Sequence, residues 1–370
     1  MRFLRCLAAC STLLALPHDL AAQVLRGRVV AADRSLPIPG ALVELQDSVG
    51  RPVQRALTTP SGTYRFLPGS LGRFRVRVAA IGYAIRPTEL VTLHGEELVL
   101  PDFRLAAAIA ILPDLVVAGK RRMCGREILD DPLLGRLLEG AKASLALMEQ
   151  SIGLSTRFTV EEVRTRELTA VKPTRTTADT TVGELTKWPL ESVEPELLRA
   201  EGFARMLDST EGRGRVYYGP DLRVLFADWF LDSHCFAFNV KERDDSEGLI
   251  RVTYAPKGKS KLVDVGGELL IDATTLSLRE FTFVHRNLPG HIKEGAAGGM
   301  VGFARLEAGG WLPVRWEIYG PVESARVAVR TTRVVRMGGG RPKGPPPPNL
   351  APRPTVLGSV RLVGRVMEGP

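Results

Sequence analysis

The stretch from Gly72 to Ala79 alternates without a break: Phe74, Val76 and Val78 are apolar, and Arg73, Arg75 and Arg77 stand between them. Consecutive side chains of an extended strand point to opposite faces, so this segment sorts cleanly only as a strand. A helix would scatter the arginines around its circumference. A strand buried on both faces would place them in apolar surroundings, where unpaired charge is costly. The segment therefore requires an antiparallel sheet with one dry face and one wet face.

Its neighbours read the same way. Val24 to Val30 is a strand stopped by Pro37-Ile-Pro-Gly40, and Ala41, Val43 and Leu45 alternate with Leu42, Glu44 and Gln46. Asp47-Ser-Val-Gly50 is a turn, Pro52 to Thr59 a further strand, and Ser61-Gly62 turns into Thr63-Tyr-Arg-Phe66. Strands follow near Thr88–Leu93 and Leu98–Leu105. About seven short strands at this spacing indicate a β-sandwich.

The ordered set Gly27-Arg-Val-Val30, Pro39-Gly-Ala-Leu-Val43, Asp47-Ser-Val-Gly50, Thr59-Pro-Ser-Gly-Thr-Tyr-Arg-Phe66 and Phe74-Arg-Val-Arg-Val-Ala-Ala-Ile-Gly-Tyr83 resembles the carboxypeptidase regulatory-like domain over residues 23–105. The resemblance implies a transthyretin-like or carbohydrate-binding-like sandwich that accompanies other envelope domains. It implies no peptidase activity, because the catalytic domain of a carboxypeptidase is a separate unit. Leu112-Pro-Asp-Leu-Val-Val-Ala-Gly119 is similar to a segment that follows this domain in TonB-dependent receptors. With no plug or long barrel after it, we read it as a connecting strand that ends a first domain at 119, with a transient envelope partner as the alternative.

Residues 1–22 have the order of a secretory signal: Met1 to Arg5 is basic, Cys6 to Leu16 apolar, and cleavage is expected after Ala22. The apolar run is far shorter than the ~20 residues a spanning helix needs. Leu7-Ala8-Ala9-Cys10 offers lipidation at Cys10 as an alternative, although it interrupts the apolar run rather than ending it. The protein is thus expected to be exported, periplasmic or outer-membrane-associated, with no transmembrane span in the mature chain.

The formal charge is +9, and +8 once the signal is removed. That excess suits an anionic lipid or polysaccharide surface as well as plain solubility. The basic residues have no aromatic-interleaved cluster, so no nucleic-acid partner is expected. Of the four cysteines, Cys6 and Cys10 fall in the signal and Cys124 and Cys235 remain. A lone pair in an oxidising compartment reads as a disulfide, with two buried thiols as the alternative.

Lys120-Arg-Arg122 opens a second domain, 120–370. Asp131-Pro132 starts a helix whose Leu134, Leu137, Leu138, Ala141, Leu145, Met148 and Ile152 share one face to near Gly153. Next come a strand from Ser155 to Val171, a Thr-rich loop to about Gly183, and a second helical spacing in Leu222, Leu225, Phe226, Trp229 and Phe230. The segments 234–239, 249–255, 267–272, 278–285, 302–307, 311–319 and 325–335 read as strands of a meander. Gly338 to Pro354 is a Pro-rich loop, and Thr355 to Val366 a last strand. The fold class expected is mainly β: an N-terminal seven-stranded sandwich, then an α+β domain with a curved antiparallel sheet and one or two helices. That strand order resembles the half-barrel of envelope lipoprotein carriers.

No catalytic, cofactor or metal residue is assigned. Asp228, Asp232 and His234, beside Cys235, form the densest polar cluster, a metal or acid–base site in one reading and a capped helix end in the other. His94-Gly-Glu-Glu97 has the H-x-x-E spacing of a zinc carboxypeptidase but sits at a strand end with no third ligand in view. His285 and His291 flank a Pro-Gly turn and are expected to be solvent-exposed. Gly258-Lys259-Ser260 resembles the end of a phosphate loop, yet Thr253 stands where its first glycine belongs. Trp229, Trp311, Trp316 and Tyr319 read as core, or alternatively as a sugar- or lipid-binding face. The expected function is a non-enzymatic envelope binding or adaptor protein, with an envelope protein, polysaccharide or lipid as partner. A carbohydrate-binding protein, a lipid-binding half-barrel and a hydrolase are the alternatives.

Overall fold

The computed structural model describes residues 23–84, 86–87, 90–107, 120–151, 154, 158–168, 171–183, 192–209, 212–239, 248–258, 260–306, 311–324 and 355–368. The expected signal segment, the stretch 112–119, strand 325–335 and the Pro-rich loop 338–354 lie outside them.

The N-terminal part holds nine strand segments: β1 (Val24–Ala31), β2 (Leu42–Asp47), β3 (Pro52–Leu57), β4 (Thr63–Phe66), β5 (Gly72–Ala79), β6 (Arg86–Pro87), β7 (Val91–Leu93), β8 (Glu97–Val99) and β9 (Phe103–Leu105). One sheet runs β4-β1, with β8 and β9 lying parallel to β1 in succession. The other runs β3-β2-β5, with β6 and β7 both along β5. Where seven strands were expected, nine segments fill seven lanes. The Leu98–Leu105 run divides because Pro101 cannot donate to the ladder and its ring fixes the backbone.

The two sheets face each other across one core. Leu25 and Val29 of β1 and Phe66 of β4 meet Val43, Leu45, Phe74, Val76 and Val78 of the facing sheet. The β5 alternation is realised as it stands, with Arg73 and Arg75 exposed. The hairpin into β4 depends on Gly62, whose φ of +76° and approach of 2.6 Å between a built Cβ and the Val29 carbonyl exclude a side chain.

The remainder builds one ten-stranded sheet. Its elements are β10 (Lys120–Cys124), α1 (Leu134–Ser151), β11 (Phe158–Leu168), β12 (Val171–Gly183), α2 (Pro195–Glu201), and the separate hairpin β13 (Ala204–Ser209) and β14 (Gly212–Tyr217). There follow α3 (Leu222–Leu225), α4 (Asp228–Ser233), β15 (His234–Asn239), β16 (Leu249–Pro256), β17 (Asp264–Asp272), β18 (Leu278–Arg286), β19 (Gly298–Arg305), β20 (Trp311–Ser324) and β21 (Thr355–Glu368). The order is β10-β15-β16-β17-β18-β19-β20-β21-β11-β12. Every pair is antiparallel.

Helix α1 begins where Asp131 accepts hydrogen bonds from the amides of Leu133 and Leu134, at 3.0 and 2.8 Å. Of its expected apolar face, Leu134, Leu137, Leu138, Ala141, Leu145 and Met148 are buried and join Phe281, Phe283 and Trp316 of the sheet in one core, while Ile152 and Gly153 lie outside the described residues. The Ser144 hydroxyl donates to the Ala141 carbonyl at 2.7 Å and accepts from the Leu278 amide at 3.2 Å, tying α1 to β18.

Three expectations change. The Thr-rich stretch is strand β12 rather than a loop. It occupies the edge lane beyond β11, where a strand needs no continuous apolar face, β-branched threonine suits the pleat, and Pro173 is tolerated. The spacing Leu222 to Phe230 does not form one helix, because the chain turns at Phe226-Ala227 between α3 and α4. Instead of one or two helices, the described residues hold four α-helices, of which only α1, at 18 residues, is long.

Candidate functional site

Cys124 and Cys235 are direct cross-strand partners in β10 and β15 and are joined by a disulfide, with Cα atoms 3.9 Å apart. His234 precedes the second cysteine and is fully buried, stacked on Phe230 at 3.7 Å between ring centroids. Its Nδ1 lies 3.0 Å from the Ser233 hydroxyl and 2.9 Å from the Phe230 carbonyl, and its Nε2 lies 3.0 Å from the Val265 carbonyl. One tautomer satisfies both nitrogens: Nε2–H donates to Val265 while Nδ1 accepts from Ser233.

Asp228 and Asp232 do not join it. Both turn outward onto Arg126, at 3.5 and 2.8 Å. The hydrogen bond from Arg126 holds the Asp232 carboxyl below the usual carboxylate range. Three residues within seven positions thus separate into a buried imidazole and an exposed ion-pair cluster, because α4 ends and β15 begins between them. Among the described residues no group of three or more His, Cys, Asp or Glu side chains could hold a metal.

Beside this junction lies a cleft of about 560 Å³ between α2, α4 and the β16–β17 turn. Its aromatic wall is Trp229 of α4 and Phe203 behind α2, with ring centroids 6.5 Å apart. Lys257 and Arg199 supply cations to the lining, Asp232 and Asp264 carboxylates, and Ser233 and Ser260 complete it. Backbone bonds fix the walls: the Phe203 amide donates to the Val263 carbonyl at 2.7 Å, and the Lys257 amide to the Ser233 carbonyl at 2.8 Å. The Trp229 indole N–H is buried without a protein partner. Asp264 reaches back to His234, its Oδ1 lying 3.4 Å from Nε2.

A second polar cluster was invisible in the sequence. The Glu323 side chain, 1% exposed, accepts from the Tyr217 phenol at 2.5 Å and lies 3.1 Å from His291 Nε2 and 3.3 Å from Arg215 Nε. Burial and the bond to Glu323 push the Tyr217 phenol far up. His285 packs edge-on against Tyr217 at 5.3 Å, with Nε2 3.0 Å from the Tyr218 carbonyl and Nδ1 unpartnered. Burial lowers its pKa, so the ring is neutral. The expectation that both turn histidines are solvent-exposed holds for His291, whose ring still reaches Glu323, and fails for His285, which is 1% exposed. The signal for His285 was present, since it continues the inward alternation of Phe281 and Phe283. Glu323 had no such signal, because it lies 106 positions from Tyr217, whose near neighbour in sequence is Arg215.

The other candidates fall elsewhere. His94 is exposed in the turn after β7, and Glu97 is paired with Arg26 at 2.6 Å. Gly258 and Ser260 lie in the β16–β17 turn and Lys259 outside the described residues. Trp316 is core and donates to Glu162 at 3.3 Å, Trp311 is buried under Arg279, and Tyr319 is half-buried on β20. Of these four aromatic residues only Trp229 lines the cleft.

Residues 24–106 match the family model of the carboxypeptidase regulatory-like domain, in agreement with the sandwich seen there. No curated protein matches the chain. Among solved structures, the Bacillus anthracis TIE protein is similar over 44% of this chain and 27% of its own, at 15% identity and a TM-score of 0.21. A streptococcal ancillary pilin is similar over 55% of this chain and 60% of its own, at 12% identity and a TM-score of 0.21. A 9R-lipoxygenase from Cyanothece PCC8801 is similar over 78% of this chain and 43% of its own, at 11% identity and a TM-score of 0.21. The chain thus spans less than two thirds of each, and likenesses at this level carry no argument.

Proposed function

We propose that this chain, whose residues 24–106 form a carboxypeptidase regulatory-like domain, is an exported, non-enzymatic binding protein of the cell envelope. The observation that carries the proposal is the cleft beside α4, with its aromatic wall and a lining that holds both charge signs. Aromatic faces and fixed polar groups in one concavity suit a polar ring compound. The sugar ring of a short acidic saccharide would lie against Trp229, its carboxylate toward Lys257 and Arg199, and its hydroxyls toward Asp264 and Ser260.

Binding is favoured over hydrolysis because the groups nearest the cleft are engaged. Asp232 is ion-paired with Arg126, and His234 is buried behind the wall with a protein partner at each ring nitrogen, Ser233 and Val265. An extracytoplasmic location is supported by the Cys124–Cys235 disulfide and by the order of residues 1–22. No helix among the described residues is long and apolar enough to cross a membrane, which leaves membrane-crossing strands unaddressed.

The test is calorimetric titration with uronic-acid oligosaccharides, alongside Trp229→Ala and Lys257→Gln. Micromolar to millimolar binding that weakens at least tenfold in the Trp229 variant is expected. Unchanged binding in both variants removes the cleft from the proposal. Cleavage of the saccharide replaces it with a hydrolase.

A further inference from the structure

The wet face required by the β5 alternation is more sharply defined in the folded protein than in the sequence. The register places Arg77 beside Glu44 and Arg75 beside Gln46 on β2, and Glu44 beside Arg55 on β3. Arg55, Arg73, Arg75 and Arg77 therefore share the outer face of the five-stranded sheet with one carboxylate, Glu44, which is 4% exposed. Burial pushes the Glu44 carboxyl up, but bonds from Arg55 and Gln46 outweigh this and hold it ionised. Among the described residues no carboxylate pairs with Arg73 or Arg75, and both are exposed.

Two further features mark the face. One end is already covered: Leu42 and Ala79, on the same side as the arginines, are 2% and 7% exposed, and α1 of the second unit lies against this end. The open end carries apolar side chains in place of a polar rim. Val53 stands on the β3 side at 43% exposure and Leu90 on the β7 side at 43%, while Leu71 precedes β5 at 53%. The acids near that end are Asp47, paired with Arg51, Glu97, paired with Arg26, and exposed Glu96.

We propose that this arginine face of the sandwich docks on the surface of a bilayer containing anionic phospholipid. Guanidinium groups bind phosphate with two aligned donors, which suits a layer of phosphodiesters. The apolar shoulders favour a bilayer over a soluble polyanion, because Val53, Leu71 and Leu90 gain only where acyl-chain boundaries lie beside the phosphates. The site is independent of the Trp229 cleft, on another face and another unit.

The experiment is vesicle co-sedimentation of protein recovered from periplasmic extract with its N-terminus determined. One vesicle type holds equal parts of phosphatidylglycerol and phosphatidylcholine, and the other phosphatidylcholine alone. Binding to the first, weakening with salt, is expected. Arg73→Gln with Arg75→Gln should lower the partition coefficient about 25-fold, at roughly fivefold per arginine. Val53→Ser with Leu90→Ser should lower it several-fold, whereas Trp229→Ala leaves it unchanged. Thermal melts of each variant separate lost binding from lost folding. Equal binding by the arginine variant overturns the proposal, and so does retention on a sulfated polysaccharide with none on vesicles.

Discussion

Glu323 and Tyr217 stand 106 positions apart in sequence and are bonded at 2.5 Å, carboxylate to phenol, where the β13–β14 hairpin lies against β20. The carboxylate also faces Arg215, whose side chain is 16% exposed, so three polar groups rely on one acceptor. Replacing Glu323 by Gln should destabilise the protein by about 3–5 kcal/mol, because it strands the Arg215 charge in a buried site. Tyr217→Phe removes a single bond to a charged acceptor and should cost about 1.5–3 kcal/mol. Urea unfolding of both variants checks the order, and a Tyr217 variant worse than the Glu323 variant would contradict it.

His285 gives stability a pH dependence of known sign. Its folded pKa is lowered by burial, so between that value and the unfolded value of about 6.5 only the unfolded chain takes the proton. Its contribution is complete above about pH 6.5 and is lost as the pH falls through that window. His285→Gln should lower stability at neutral pH yet flatten the decline below about pH 6.5. An equally steep decline in the variant would place the titration elsewhere.

The Cys124–Cys235 bond closes a loop with a sequence separation of 111. In the chain-entropy model such a closure stabilises by about 5 kcal/mol, so the double Cys→Ser variant should unfold at a markedly lower temperature. Intact mass with and without reductant should differ by two hydrogen atoms, one for each thiol formed.

Gly82 joins the two units. Its φ is +80°, and a Cβ there would meet the Thr275 Cγ2 at 2.9 Å. Gly82→Ala should destabilise by about 1–3 kcal/mol and expose the Ile81–Tyr83 segment to limited proteolysis. Cleavage that stays confined to other loops would show that this contact does not hold the units together.

The sequence conveyed what is local and periodic. Phe74, Val76 and Val78 revealed their face because a strand repeats every two residues, and Leu134 to Met148 did so at helical spacing. Composition misled at β12, where threonine and proline resemble a loop but suit an edge strand. Proximity in sequence left two readings open at Asp228, Asp232 and His234, which a helix end turns in opposite directions. Glu323, Tyr217 and Arg215 come together only through the hairpin on β20, and no pattern within a few residues encodes that meeting. Trp229 was visible as an aromatic residue, but its cleft depends on α2, which was not anticipated.

The position of β21 dictates an order of events. It lies between β20 and β11, and Arg365 donates to Glu161 across 204 positions. The β11–β12 hairpin is therefore synthesised long before the strand that attaches it to the sheet, and until then it presents an unpaired edge. Contacts of such long range make assembly slow. A chain that leaves the cytoplasm unfolded would meet this problem only after release, when both halves of the sheet are present at once. Ending the chain before Thr355 would not trim the sheet at its margin; it would cut the sheet in two.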